Sequence, residues 1–239
     1  MVDAPALGMV DAPESAVSCR VSALVVFVLG VLAVAPGFAL SGGATEALRR
    51  AIDRVVHILA DQTLRGAPHA PERRAAIHDV MAAIIDFPDA ARRALGVHWQ
   101  GRTEKERDEF VGLFRELVSY SYIVTMEGYS GQTIAFVGES ERDDTVIVLT
   151  RMQGRQGPPV PIDYRMHERN GRWLVYDVVV EGVSLVSNYR DQFNSIVRTT
   201  SYAELVTRMR TRVAELKGGV RPVALTDIRV VDPLAGDSR

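Results

Sequence analysis

The chain has 239 residues, 47% of them hydrophobic and 24% charged, with a formal net charge of −2, a balance that suits one sizeable domain with a buried core. Removing Asp3, Asp11, Glu14 and Arg20 with the first 39 residues leaves acids and bases equal in number, so no overall positive field exists to draw nucleic acid, whose binding rests on neutralising phosphates. The single cysteine, Cys19, allows no disulfide within the chain.

The first predicted element is an export signal. Residues 21–35 (VSALVVFVLGVLAVA) form an uncharged apolar run between Arg20 and Pro36-Gly37. About fifteen apolar residues suit a signal-peptide core and fall short of the roughly twenty that span a bilayer. Cleavage is expected after Gly37-Phe38-Ala39, making 1–39 a signal peptide; counting on to Leu40 brings the run near spanning length, so a retained anchor is the alternative. Cys19 precedes the run, where a lipoprotein cysteine would follow it. The acidic start nearly repeats, MVDAP at Met1 and again at Met9, which points to a true start further in.

Helices come next, in the domain expected over 40–217. Over 46–64, Leu48, Ile52, Val55, Val56 and Leu59 have helical spacing, and Gly66 and Pro68 end the pattern. A second helix follows Pro71, carries Ile77, Val80, Met81, Ile84 and Ile85, and stops before Pro88. Residues 89–95 read as a short helix closed by Gly96. Thr103 caps a long helix, with Glu106 completing a capping box; its stripe is Phe110, Leu113, Phe114, Leu117, Val118 and Val124.

After Gly128 the pattern turns to strands, over 133–141, 145–152, 160–168 and 172–181. Asn170-Gly171 predicts a two-residue hairpin turn that sets Arg169 against Arg172. Counted outward, this register groups Val160, Ile162, Tyr164 and Met166 with Trp173, Val175, Asp177 and Val179 on a buried face. Asp177 is the only charge on that face and stands opposite Tyr164. The other face carries Asp163, Arg165 and His167 beside Leu174, Tyr176 and Val178. Two helices follow, lined by Leu185, Tyr189, Phe193, Ile196 and Val197, then by Tyr202, Leu205, Val206, Met209, Val213 and Leu216. Residues 218–239 read as a loosely attached tail. The expected class is α+β: a four-stranded antiparallel meander packed against a bundle of helices.

Motifs for chemistry are sparse. His57, His69, His78, His98 and His167 share no ligand spacing, so no metal is expected. Gly154 and Gly157 lack the Lys-Ser/Thr of a phosphate loop. No Gly-x-Ser-x-Gly elbow occurs, and the mature chain has no thiol. Asp177 is the one candidate general base, since a carboxylate on an apolar face can have a raised pKa. The plainer reading is a structural carboxylate satisfied by Tyr164 or backbone donors, and it is preferred because no histidine falls on that face. Trp173, Tyr164 and Phe193 are, by the same reasoning, more often core than ligand contacts.

One stretch carries a resemblance. Residues 173–198 (WLVYDVVVEGVSLVSNYRDQFNSIVR) hold a Trp-x-Val-Tyr-Asp-Val strand, Glu181-Gly182-Val183-Ser184-Leu185, and Asn188-Tyr189-Arg190 with Gln192-Phe193 a turn later. In this the sequence resembles the MlaC family, also called the toluene-tolerance auxiliary proteins. The resemblance implies a curved sheet and helices enclosing an apolar cavity for acyl chains. It also implies a soluble periplasmic phospholipid carrier serving an outer-membrane lipoprotein–porin complex and an inner-membrane ABC transporter complex. Its cargo is phospholipid, and no cofactor is expected. A sister branch, HpnM, accompanies hopanoid biosynthesis, and the motif does not separate the two.

Physical cost points the same way. Each buried methylene is worth about 0.8 kcal/mol, so a sixteen-carbon chain in water forfeits on the order of 12 kcal/mol, and a soluble carrier must enclose it. From facing direction the expected lining is Ile162, Tyr164, Val175 and Val179 from the sheet, with Tyr189, Phe193 and Ile196 from the following helix. Phe114 and Leu117 close it from the long helix. Against this stand an enzyme using Asp177 on a hydrophobic substrate, and an envelope protein whose apolar residues simply pack on one another.

Overall fold

The computed structural model describes residues 43–154 and 157–218. The expected signal peptide, Cys19 and the tail beyond Gly218 lie outside the described residues.

Among the described residues, four α-helices precede the sheet. Helix α1 (Ala44–Ala60) buries Ala44 and Leu48. It stops earlier than the apolar spacing predicts, because Asp61 turns extended and its carboxylate accepts the Thr63 N–H at 2.8 Å, starting a short 3-10 turn. Helix α2 (Ala70–Ile84) carries Pro71 in its first turn. Helix α3 (Phe87–Leu95) begins two residues before the expected start: Asp86 caps it by accepting the Asp89 N–H at 3.0 Å. Pro88 then sits in the first turn, where its missing N–H has no partner to lose.

Helix α4 (Glu104–Met126) starts on the predicted capping box, with Thr103 Oγ1 accepting the Glu106 N–H and Glu106 accepting the Thr103 N–H at 2.8 Å. Ile123, rather than the expected Val124, is its last fully buried apolar residue. Thr103→Ala is expected to cost about 1 kcal/mol, read as a lower urea midpoint with an unchanged slope.

The sheet has strands β1 (Thr133–Arg142), β2 (Thr145–Gln153), β3 (Val160–Arg169), β4 (Arg172–Val180) and β5 (Val183–Ser184), neighbouring in that order and all antiparallel. The expected meander of four therefore gains a short fifth strand, folded back on β4 through Glu181 and Gly182, both at positive φ. Asn170 and Gly171 also have positive φ, 52° and 71°, as the predicted hairpin turn requires. Helices α5 (Leu185–Thr199) and α6 (Tyr202–Lys217) follow.

The sheet register holds the main departure from the sequence reading. From Arg169↔Arg172 to Met166↔Val175 the pairing runs as predicted, but Tyr176 is then an extra residue, and Arg165 pairs with Asp177. A bulge of one residue exchanges the two faces of everything beyond it. Tyr164 therefore stands opposite Val178 and Ile162 opposite Val180. Asp177 and Val179 lie on the other face, beside Arg165 and Asp163. Asp177 is not a charge on the apolar face, and Val179 does not share a face with Ile162 and Tyr164.

Two main cores result. Helices α1 and α2 cover the inner sheet face, where Leu48 and Ala44 meet Val146, Val148, Met166 and Val175. Helices α3, α4, α5 and α6 build a second core around Phe110, Phe114, Phe193 and Leu205. A smaller cluster joins α2 to α4 through Ile77, Met81 and Ile123. Ile85 packs against all three clusters. It also forms a parallel bridge with Val175, whose carbonyl accepts the Asp86 N–H at 2.8 Å. No helix among the described residues is long and apolar enough to cross a membrane.

Candidate functional site

The inner sheet face is unevenly covered. Near the Asn170-Gly171 hairpin, Val146, Val148, Met166 and Val175 are fully buried beneath α1 and α2. Towards the opposite end, the paired side chains Ile134, Met152 and Val160, with Phe136, Ile162 and Tyr164, are only half-buried. Thr150 among them is buried and donates its hydroxyl to the Ile162 carbonyl at 2.6 Å, so the wall presents little free polarity. Burial pushes the Tyr164 phenol up to about 12, which keeps it neutral. This end of the sheet is therefore left half-covered where the hairpin end of the same face is closed by α1 and α2.

The structure separates the predicted lining residues. Val175 belongs to the sheet core, and Ile162 and Tyr164 to the half-covered wall, Tyr164 also packing against that core. Val179 is buried on the reverse face. Phe114, Leu117, Tyr189 and Phe193 are fully buried in the helical core, with Ile196 partly buried at its margin. Phe193 stands edge-on to Phe110 at 5.6 Å and to Phe114 at 6.2 Å, and Tyr189 edge-on to Phe114 at 5.3 Å. Such T-shaped pairs are the favoured aromatic arrangement, and they mark this group as solid packing. Sequence reasoning missed Leu48 and Ile52 of α1 and Phe136 of β1, which pack on the sheet core. Their helical and strand periodicity carried the signal, but not which faces would meet.

Asp177 is 5% exposed and fully hydrogen-bonded. Its Oδ2 accepts from Arg165 at 2.8 Å and from the Ser184 hydroxyl at 2.7 Å, and its Oδ1 accepts from the Val186 N–H at 3.0 Å. One expected backbone donor is there; Tyr164 is not among the partners. The carboxylate thus ties β4 to the first turn of α5, where the helix dipole also favours negative charge. Ser184 passes the link on by accepting the Ser187 N–H.

A second polar network was not read from the sequence. Asp86 accepts from His167 Nε2 at 2.9 Å and lies 3.2 Å from Arg169. Asp89, also buried, accepts from Arg92 and Arg93 at 2.6 Å each. His167 stacks on Tyr176, the bulged residue, and the Arg93 guanidinium lies over the same Tyr176 ring at 4.4 Å. Elsewhere Glu127 at the end of α4 holds Arg73 and Arg74 of α2 at 2.6 and 2.8 Å. Among the described residues, no group of three or more His, Cys, Asp or Glu is placed to hold a metal ion.

These ion pairs predict acid sensitivity. Burial raises the carboxyls of Asp89 and Glu127, but hydrogen bonds from their arginine partners outweigh it and hold both below the usual range. A depressed folded-state pKa contributes stability that is present above the unfolded value of about 4 and is lost as pH falls through the folded one. The thermal midpoint should therefore hold level from neutrality to about pH 5 and fall below about pH 4. The Glu127→Gln variant should show a shallower fall over that same acid range.

An open groove of about 530 Å³ lies away from the inner sheet face, between the end of α3 and α5. It is lined by Arg92, Arg93, Gly96, Val97, Trp99, Gln100 and Arg190.

Comparison with known proteins places this geometry. The model of the MlaC protein family matches residues 49–211. A Haemophilus influenzae protein, the intermembrane phospholipid transport system binding protein MlaC, is 24% identical over 147 residues, 59% of this chain and 69% of its own length. The toluene tolerance protein ttg2D of Pseudomonas putida is 23% identical over 121 residues, 49% of this chain and 56% of its own. Among solved structures, a phospholipid-binding protein from Ralstonia solanacearum in complex with a phospholipid superposes with a TM-score of 0.66 at 25% identity. That match covers 73% of this chain and 99% of the other.

Proposed function

Because this chain belongs to the MlaC protein family, we propose that it is a phospholipid carrier, exported to the periplasm, that encloses acyl chains and performs no covalent chemistry. The observation that carries the reading is the half-covered apolar wall of Ile134, Phe136, Met152, Val160, Ile162 and Tyr164. A relative of matching fold holds a phospholipid, and an acyl chain needs an apolar lining of this kind far more than it needs polar recognition. Of the expected lining, Ile162 and Tyr164 are then the residues that meet cargo, while Val175 is closed in beneath α1 and α2 and Val179 faces the other way. Phe114, Leu117, Tyr189 and Phe193 form the rigid backing, and Ile196 stands at its margin.

Transfer in this scheme needs no catalytic group. The wall lowers the cost of moving a chain through water, and contact with a donor or acceptor assembly opens the mouth. Those assemblies are an outer-membrane lipoprotein–porin complex and an inner-membrane ABC transporter complex. Asp177 serves by fixing β4 to α5. Native mass spectrometry of the purified mature protein tests the proposal: co-purified phospholipid is expected, and a hopanoid in its place would move the cargo assignment to that lipid class. A protein that carries no lipid and takes none from vesicles would overturn the carrier reading.

A further inference from the structure

We infer that the groove between α3 and α5 is a contact site for an anionic lipid surface, separate from the apolar wall that encloses cargo. Three guanidinium groups, those of Arg92, Arg93 and Arg190, line it together with Trp99, and among the described residues no carboxylate does. Asp89, buried beneath, engages Arg92 and Arg93 through hydrogen bonds to both carboxylate oxygens, yet Arg92 remains half exposed and Arg93 more than a third. Arg190 meets the Ser187 hydroxyl, a neutral partner, at 2.6 Å. The lining therefore keeps a local positive surplus although the acids and bases beyond residue 39 are equal in number.

At its rim stands Val97, 84% exposed, the most exposed large apolar side chain described. It rides on a 3-10 turn that Gly96 makes possible at φ +58°, a conformation few other residues adopt. The turn is held firmly, because Arg107 donates to the Trp99 and Gln100 carbonyls and lies over the Trp99 ring at 5.4 Å. Guanidinium forks match phosphate oxygens in pairs, indoles settle at the boundary between headgroups and acyl chains, and a projecting valine can enter between headgroups. A single carboxylate or phosphate in solution would use the arginines but leave Val97 and Trp99 without purpose; a phosphate-bearing surface uses all of them.

The expected strength suits a shuttle. Each net positive charge near an anionic bilayer is worth about five-fold in partitioning, so three arginines less the Asp89 carboxylate give on the order of a 25-fold preference. That is enough to orient the carrier and weak enough to release it. In co-sedimentation, the protein should bind vesicles containing phosphatidylglycerol in strong preference to vesicles of phosphatidylcholine alone. The preference should vanish near 1 M salt, where screening shortens to about 3 Å. Arg190→Gln should weaken binding about five-fold, and Val97→Asp should lower it without changing the thermal midpoint.

Equal binding to both vesicle types, or a preference indifferent to Arg190→Gln and Val97→Asp, would overturn the inference. So would loss of binding to a purified protein assembly by the same variants with vesicles ignored, since the groove would then be a protein-docking face. The inference extends the carrier proposal without depending on it, and cargo is assayed in the same samples. Lipid-loaded protein that ignores vesicles sinks the surface site alone, and empty protein that binds them sinks the carrier alone.

Discussion

Replacing Asp177 with alanine is expected to destabilise the domain by about 3 kcal/mol, a fall in midpoint of roughly 6–12 °C for a chain of this size. The substitution strands three groups at once: the Arg165 guanidinium, the Ser184 hydroxyl and the Val186 N–H at the start of α5. Breaking a buried ion pair costs roughly 3–5 kcal/mol. The lower end applies because Arg165 is 40% exposed and can return to water. Asp177→Asn keeps oxygen for one or two of these donors and should cost about half as much. Urea denaturation separates the variants. A loss below about 0.5 kcal/mol for Asp177→Ala would mean that the carboxylate is not holding β4 to α5, and its claim to a direct functional role would revive.

Phe193→Ala should be costlier still, about 4 kcal/mol, against a total that for domains of this kind is only 5–15 kcal/mol. Phe193 is fully buried and touches Phe110, Phe114 and Tyr189, so truncation opens a cavity that the surrounding frame of four helices cannot close. Ile162→Ala makes the contrast. Its side chain is half-buried on the open wall, and the expected cost is roughly 1 kcal/mol, with co-purified lipid reduced well out of proportion to that loss. Should Ile162→Ala destabilise as much as Phe193→Ala, the wall is ordinary core and the lipid must lie elsewhere.

These two predictions follow the line along which the sequence could and could not be read. The elements were legible because their signals are local. Thr103 and Glu106 announce α4 by a reciprocal cap, Asn170-Gly171 announces a hairpin by its tolerance of positive φ, and the run from Trp173 to Phe193 carries the family pattern. Two boundaries were misplaced because a cap outweighed periodicity: Asp61 ends α1 early, and Asp86 starts α3 ahead of Pro88. The Asp86 cap was available in the sequence, since an aspartate two residues before a proline suits a helix start.

The site was legible only in part. A register counted from the hairpin is sound for as long as the ladder is regular, and it held from Arg169 to Met166. Nothing local in Val175-Tyr176-Asp177 marks Tyr176 as a bulge; what stabilises it is His167 stacking on its ring, Arg93 above it and the Asp86 N–H bonded to Val175. All three partners lie far away in the chain or across the sheet. The same distance hides which apolar side chains are left half-covered, because Ile162 and Phe193 look alike as hydrophobic residues at good spacing.

By itself, then, the sequence determined the class of fold, the order of elements and the absence of the familiar catalytic motifs, which rest on composition, spacing and short-range hydrogen bonding, and its 173–198 stretch carried the family resemblance. Tertiary structure alone decided that Asp177 leaves the apolar face, that the helical aromatics close into solid core while one end of the sheet does not, and that Arg92, Arg93 and Arg190 meet around Val97. Each of these depends on which surfaces of separate elements come together, and pairwise contact between distant segments is set by the packing of the whole domain.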